Sequence, residues 1–119
     1  MKLVSIMCML WIGITLSFSA SADSQKFETK VVRIVFDDTR YAGCMAEVVP
    51  NVSLSGCNAR FVTFDCSGEL GTASRVSSSM LSGAQLGLVT GNKISLTVVN
   101  NKTANGVCLA TRLDNYNTP

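Results

Sequence analysis

Four cysteines, Cys44, Cys57, Cys66 and Cys108, carry the plainest chemistry in this chain. Thiols in that number can make a four-thiolate metal site or two disulfides. Tetrathiolate zinc sites draw their ligands from close Cys-x-x-Cys-like pairs, and the nearest two cysteines here are nine positions apart. Disulfides are therefore expected, and no metal. The chain has no histidine, which excludes histidine acid–base catalysis and His-ligated zinc. Carboxylates remain. Asp65, Glu69 and Asp114 are of the type a glycosidase uses, but cleavage needs two carboxyl groups flanking one bond, and nothing in the sequence brings these together. No serine sits in a nucleophile elbow. Asp37 and Asp38 lack the spacing of a calcium loop. No catalytic residue and no cofactor is expected.

The compartment follows from the N-terminus. Lys2 is followed by an apolar run from Leu3 to Phe18 and then by Ala20-Ser21-Ala22, the charge, apolar core and small-residue site of an export signal. The run is shorter than the roughly 20 residues of a membrane-spanning helix. Residues 1–22 read as a removable leader and residues 23–119 as one exported domain, periplasmic or secreted, with no membrane insertion afterwards. Loss of Lys2 with the leader lowers the formal net charge from +2 to +1. No basic run stands out, so neither nucleic acid nor anionic lipid is implied as a partner. The fifth cysteine of the chain, Cys8, leaves with the leader, and the even count of four that stays in a small exported domain reads as covalent staples for a modest core.

The elements that must position these residues alternate in period. Residues 23–29 are polar and read as a loose arm. Lys30 to Asp37 alternates, with Val32, Ile34 and Phe36 on one face and Val31, Arg33 and Val35 on the other, the pattern of a strand. Cys44 to Val49 and Arg60 to Cys66 read as the second and third strands. Ser74 to Thr90 changes to a helical period, with Val76, Met80, Ala84 and Leu88 as its stripe, Ser74 or Ser77 as cap and Gly91 just past its end. Lys93 to Val99 alternates again, with Ile94, Leu96 and Val98 facing inward. Asn100 to Gly106 (NNKTANG) reads as a hairpin loop, and Val107 to Leu113 as the last strand.

A register argument narrows the cysteine pairing. With Cys44 opposite Cys66, Ala46 faces Phe64 and Val48 faces Val62, so every apolar pair lies on one face. This predicts Cys44–Cys66 and, by elimination, Cys57–Cys108. The order strand, strand, strand, helix, strand, strand is mostly β with one helix. It is the plan of a five-stranded Greek-key barrel of the oligonucleotide/oligosaccharide-binding (OB) type; a two-layer α+β sandwich shares the order. Barrels of that plan bind through the loop between strands one and two and the loop between strands four and five. Here those are Asp37 to Gly43 (DDTRYAG) and NNKTANG, which make Asp37, Asp38, Arg40, Tyr41, Asn101 and Lys102 the candidate ligand residues. Solvated turns have the same composition, since Asp side chains bond nearby backbone N–H groups and Asn-Gly suits a hairpin tip.

The leader, the cysteines and the passage SSSMLSGAQLGLVTGNKISLTVV before a Cys-containing final strand resemble the B subunits of one-A-five-B bacterial toxins of the subtilase-cytotoxin and typhoid-toxin type. The resemblance covers most of residues 23–119 in element order. It implies glycan recognition by a ring of small barrels. Asp37 and Asp38 would accept hydrogen bonds from sugar hydroxyls, Arg40 would donate to a carboxylate such as that of sialic acid, and Tyr41 would offer a ring face. Apart from the resemblance, an outward set of Val31, Val35, Val49 and Phe61 suggests self-association. The rival reading is an inhibitor-like protein-interaction domain with no small-molecule site.

Overall fold

The computed structural model describes residues 23–116; the expected leader lies outside the described residues. Five strands and one helix follow in the order β1 (Ser24–Phe36), β2 (Cys44–Val49), β3 (Phe61–Thr63), α1 (Ser74–Thr90), β4 (Ile94–Ala104) and β5 (Val107–Asn115). Hydrogen bonding runs β1-β2-β3-β5-β4 and returns from β4 to β1, so the five-stranded sheet closes on itself as a ring. All pairings are antiparallel except β3 with β5, which makes the sheet mixed. Phe64, Ile94, Leu96, Val48, Val62 and Val98 fill the interior and are fully buried. The inward face expected for Ile94, Leu96 and Val98 is the one observed.

Several expectations need correction. Residues 24–29 are not a loose arm: they pair with β4 from Ser24↔Val99 to Thr29↔Ile94, because closing the ring requires a partner for β4. Within β1 the register shifts between Val31 and Arg33. One extra residue reverses which side chains face inward. Val31 is consequently buried, whereas Val32 and Phe36 are exposed. Val31 therefore does not belong to an outward apolar set.

The β2–β3 register is also two residues from the expected one. Ala46 lies opposite Val62 and Glu47 opposite Phe61. A two-residue slip keeps every side chain on its face, so alternation alone cannot detect it. β3 is shorter than expected because the chain turns at Asp65, which has a φ of 57°. That turn brings Cys66 back toward Cys44. Both expected disulfides are present: Cys44–Cys66 with Cα atoms 5.5 Å apart and Cys57–Cys108 at 5.1 Å, within the usual span. Two disulfides fit an oxidising compartment. No helix among the described residues is long and apolar enough to cross a membrane.

The helix spans the expected residues, and Gly91 closes it in the left-handed conformation, donating its N–H to the Gly87 carbonyl. Its inward face is rotated from the expected stripe. Ser77, Met80, Gly83, Ala84 and Gly87 are buried, whereas Val76 and Leu88 are exposed. Small residues let the backbone approach the sheet: a Cβ on Gly83 would lie 2.5 Å from Leu113 Cδ2. The N-cap is Ala73, without a side-chain bond. Ser77 instead donates its hydroxyl to the Asp65 carbonyl at 2.9 Å.

The NNKTANG loop is largely strand. β4 runs to Ala104, and the reversal uses only Asn105 and Gly106, both at positive φ, as a two-residue hairpin turn needs. The excess residues lie between Val99 and Thr103, where the β4–β5 register is irregular.

The two disulfides close sequence separations of 22 and 51 residues. Loop entropy gives about 3 kcal/mol for the shorter and about 4 kcal/mol for the longer. Cys57→Ser/Cys108→Ser is therefore expected to lose more stability than Cys44→Ser/Cys66→Ser, as measured by urea unfolding. The reverse order would refute that ranking.

Candidate functional site

The outer face of β1, β2 and β3 carries an ordered charged cluster. Arg33 and Arg60 both hold Glu47: Arg33 Nη2 lies 2.8 Å from Oε2 and Arg60 Nη2 2.9 Å from Oε1. Glu47 sits opposite Phe61 in the ladder, and both guanidiniums flank that ring, 5.5 and 5.8 Å from its centroid. These are cation–π distances. The hydrogen bond from Arg60 does most to hold the Glu47 carboxyl below its usual range; partial desolvation opposes it, and Arg33 adds to it. The arginine side chains are more than half exposed. One carboxylate between two guanidiniums leaves net positive charge at this surface.

Beside the cluster lies a shallow groove of about 330 Å³. It is lined by Val35, Met45, Phe61 and Val107, which are apolar, and by Arg33, Tyr41, Asn58 and Asn105. The loop between β1 and β2 contributes Tyr41, and the β4–β5 turn contributes Asn105. The groove can offer two aromatic rings, two side-chain amides and a guanidinium with unused N–H donors.

Tyr41 is held by its backbone. Thr63 Oγ1 lies 2.8 Å from the Tyr41 carbonyl and 2.9 Å from the Cys44 carbonyl, sharing one proton between them. Ser67 N–H donates to the Ala42 carbonyl at 2.8 Å. Gly43, at φ +90°, packs so closely that a Cβ there would stand 3.0 Å from the Ser67 nitrogen. The β1–β2 loop is thus docked on the segment after β3.

Of the six expected ligand residues, Tyr41 alone lines this groove. Asp37 is half-buried, and its N–H closes the loop on the Gly43 carbonyl. Asp38 and Arg40 are exposed and contribute nothing to the groove wall. Asn101 and Lys102 are exposed on the irregular stretch of β4. The Lys102 ammonium lies beside Gly71, 3.7 Å from where a Cβ would stand, so it does not join Tyr41. The β4–β5 contribution falls to Asn105 because the turn is only two residues long.

Arg33, Asn58 and Phe61 were not among the expected ligand residues. Outward Phe61 and Val35 were the available signal: apolar side chains on an otherwise solvated face. The three carboxylates considered for catalysis each have local engagements. Asp65 is fully buried and accepts N–H bonds from Leu70 and Thr72. Glu69 accepts from Ser67 Oγ, and Asp114 pairs with Arg112 at 3.1 Å.

A second hollow lies near the end of β5, between Lys26, Glu28, Arg112 and Asp114. Its Tyr116 hydroxyl is buried, with no partner in hydrogen-bond geometry among the described residues. Burial, with the nearby Glu28 carboxylate, raises the Tyr116 pKa above the ordinary phenolic value. Neither expected binding loop reaches this hollow.

Glu47→Gln tests the cluster. A carboxyl whose folded-state pKa is depressed contributes stability that is present above its unfolded value, near 4.5, and lost as pH falls through the folded value. The stability advantage of wild type over Glu47→Gln should be level near neutral pH and shrink on acidification. Urea unfolding between about pH 7 and about pH 3 checks this; an advantage that grows on acidification would contradict the pairing.

Comparison with protein-family models, with curated proteins and with solved structures finds no match to this chain, and the functional reading rests on the chemistry of the groove.

Proposed function

We propose that this chain is an exported binding protein whose outer-face groove takes a saccharide. The observation that carries the reading is the convergence of Tyr41 and Asn105, from two different loops, on the wall that Phe61 and Arg33 complete. Sugars present vicinal hydroxyls and patches of C–H. Amide side chains of the Asn58 and Asn105 type match the hydroxyls in hydrogen-bond pattern, and aromatic faces pack against the C–H patches. Arg33 adds a donor for a carboxylated sugar.

The closed mixed sheet, with its helix between the third and fourth strands, supports assignment to the OB plan over the two-layer sandwich. That plan uses the face of strands two and three with the loops between strands one and two and strands four and five, the regions that surround this groove. The resemblance to toxin B subunits agrees with this reading. The export signal and the disulfides support a periplasmic or secreted location.

A protein-interaction role is the second reading. Val35, Met45, Phe61 and Val107 give the same groove an apolar share of its lining, and a contiguous apolar surface favours a protein partner or self-association. Light scattering of the purified domain at high concentration distinguishes these cases; a clean monomer removes self-association.

A glycan array probed with residues 23–119 tests the saccharide reading. Alanine at Tyr41 or Phe61 is expected to weaken the captured signal about tenfold or more, as anchor truncations do, while both disulfides still form. Silence of the folded wild-type domain on sialylated and neutral glycans would overturn the assignment.

A further inference from the structure

We propose that Cys44–Cys66 is a redox latch on the groove loop: its reduction releases the Tyr41 side of the groove while the closed sheet persists. The functional consequence rests on the saccharide reading; the structural change does not. Cys44 immediately follows the β1–β2 loop and is fully buried. Cys66 lies just after β3 on an exposed segment. The disulfide therefore joins the two segments whose docking holds Tyr41. The remaining ties between them are few: Ser67 N–H to the Ala42 carbonyl, Phe64 N–H to the Cys44 carbonyl, and the Thr63 hydroxyl.

Cys57–Cys108 occupies a different position. Cys108 is fully buried in β5, opposite Val62 in the parallel ladder. It ties the segment before β3 to β5 and does not link the β1–β2 loop to anything. Cys44 and Cys108 are both fully buried, so access differs at the other sulfur of each pair: an incoming thiol meets Cys66 on an exposed segment, whereas Cys57 is half-buried and packed against the core, and exchange follows access.

The exchange balances with a small dithiol as reductant. Its thiolate attacks Cys66 Sγ, a mixed disulfide forms, and the Cys44 sulfur leaves and takes up a proton. The second thiol of the reductant, as thiolate, then attacks its own bonded sulfur and releases Cys66 as a thiolate, which is protonated. The protein disulfide gains two electrons and two protons, and the dithiol is oxidised to its cyclic disulfide. Freed Cys66 can then move away with its exposed segment, and Gly43 loses the surface against which it packs.

Graded dithiothreitol, followed by iodoacetamide trapping and peptide mapping, would order the two reductions, with amide hydrogen exchange measured on each species. Cys44 and Cys66 should be alkylated first. Exchange at Asp37, Phe64 and Ser67 should then rise about tenfold or more while the β4 amides of Leu96 and Val98 stay protected, the signature of local opening. Cys44→Ser/Cys66→Ser, with Cys57–Cys108 intact, should show the same exchange pattern without reductant. Earlier or simultaneous alkylation of Cys57 and Cys108, unchanged exchange in the loop, or global loss of protection at the first step would each overturn the latch. Exchange needs no ligand, so a silent glycan array would leave this test intact and would count against the saccharide reading alone.

Discussion

The closed sheet depends on a strand of three residues. Among the described residues β3 alone joins β2 on one side to β5 on the other, and it offers three paired positions to the first and two to the second. So short a ladder supplies little cohesion. The two disulfides straddle it. Cys57 precedes β3 and reaches Cys108 on β5; Cys66 follows β3 and reaches Cys44 on β2. Each covalent bond ties the weak strand to one neighbour, so closure of the ring does not rest on hydrogen bonds alone.

That arrangement also explains why the chain turns sharply after Thr63. A continued strand would carry Cys66 along the ladder. The positive φ at Asp65 turns it back toward β2, and the conformation is held from several sides. The Asp65 carboxylate gathers the Leu70 and Thr72 N–H groups, its carbonyl receives Ser77 from the helix, and its own N–H donates to the Thr63 hydroxyl. Short polar side chains tolerate the left-handed region better than most. The Asp65 carboxylate is thereby engaged in positioning the backbone.

The groove inherits its form from this corner and from the register. Glu47 opposite Phe61 places one carboxylate between Arg33 and Arg60 and sets both guanidiniums about the ring. Each exposed ion pair is worth little by itself. Together they restrain Arg33, the member of the cluster that lines the groove. The β1–β2 loop, docked on the segment after β3, supplies Tyr41 to the same margin.

Cysteine number, alternating strands and a change of period at Ser74 were sufficient in the sequence to name the elements, the helix limits and both disulfides. Those features are local or depend only on which face a residue occupies. The sequence could not determine the β2–β3 register, because a shift of two residues leaves every face unchanged, nor the bulge after Val31, because an extra residue leaves no mark in composition. It overextended the β4–β5 loop, since Asn and Thr fit an irregular strand as well as a turn; Asn101 and Lys102 lie on β4, and the two-residue turn presents Asn105. Tertiary structure alone decided which outward residues meet: Arg33, Asn58 and Phe61 come from separate elements, and the lateral pairing of β1, β2 and β3 brings them beside Tyr41.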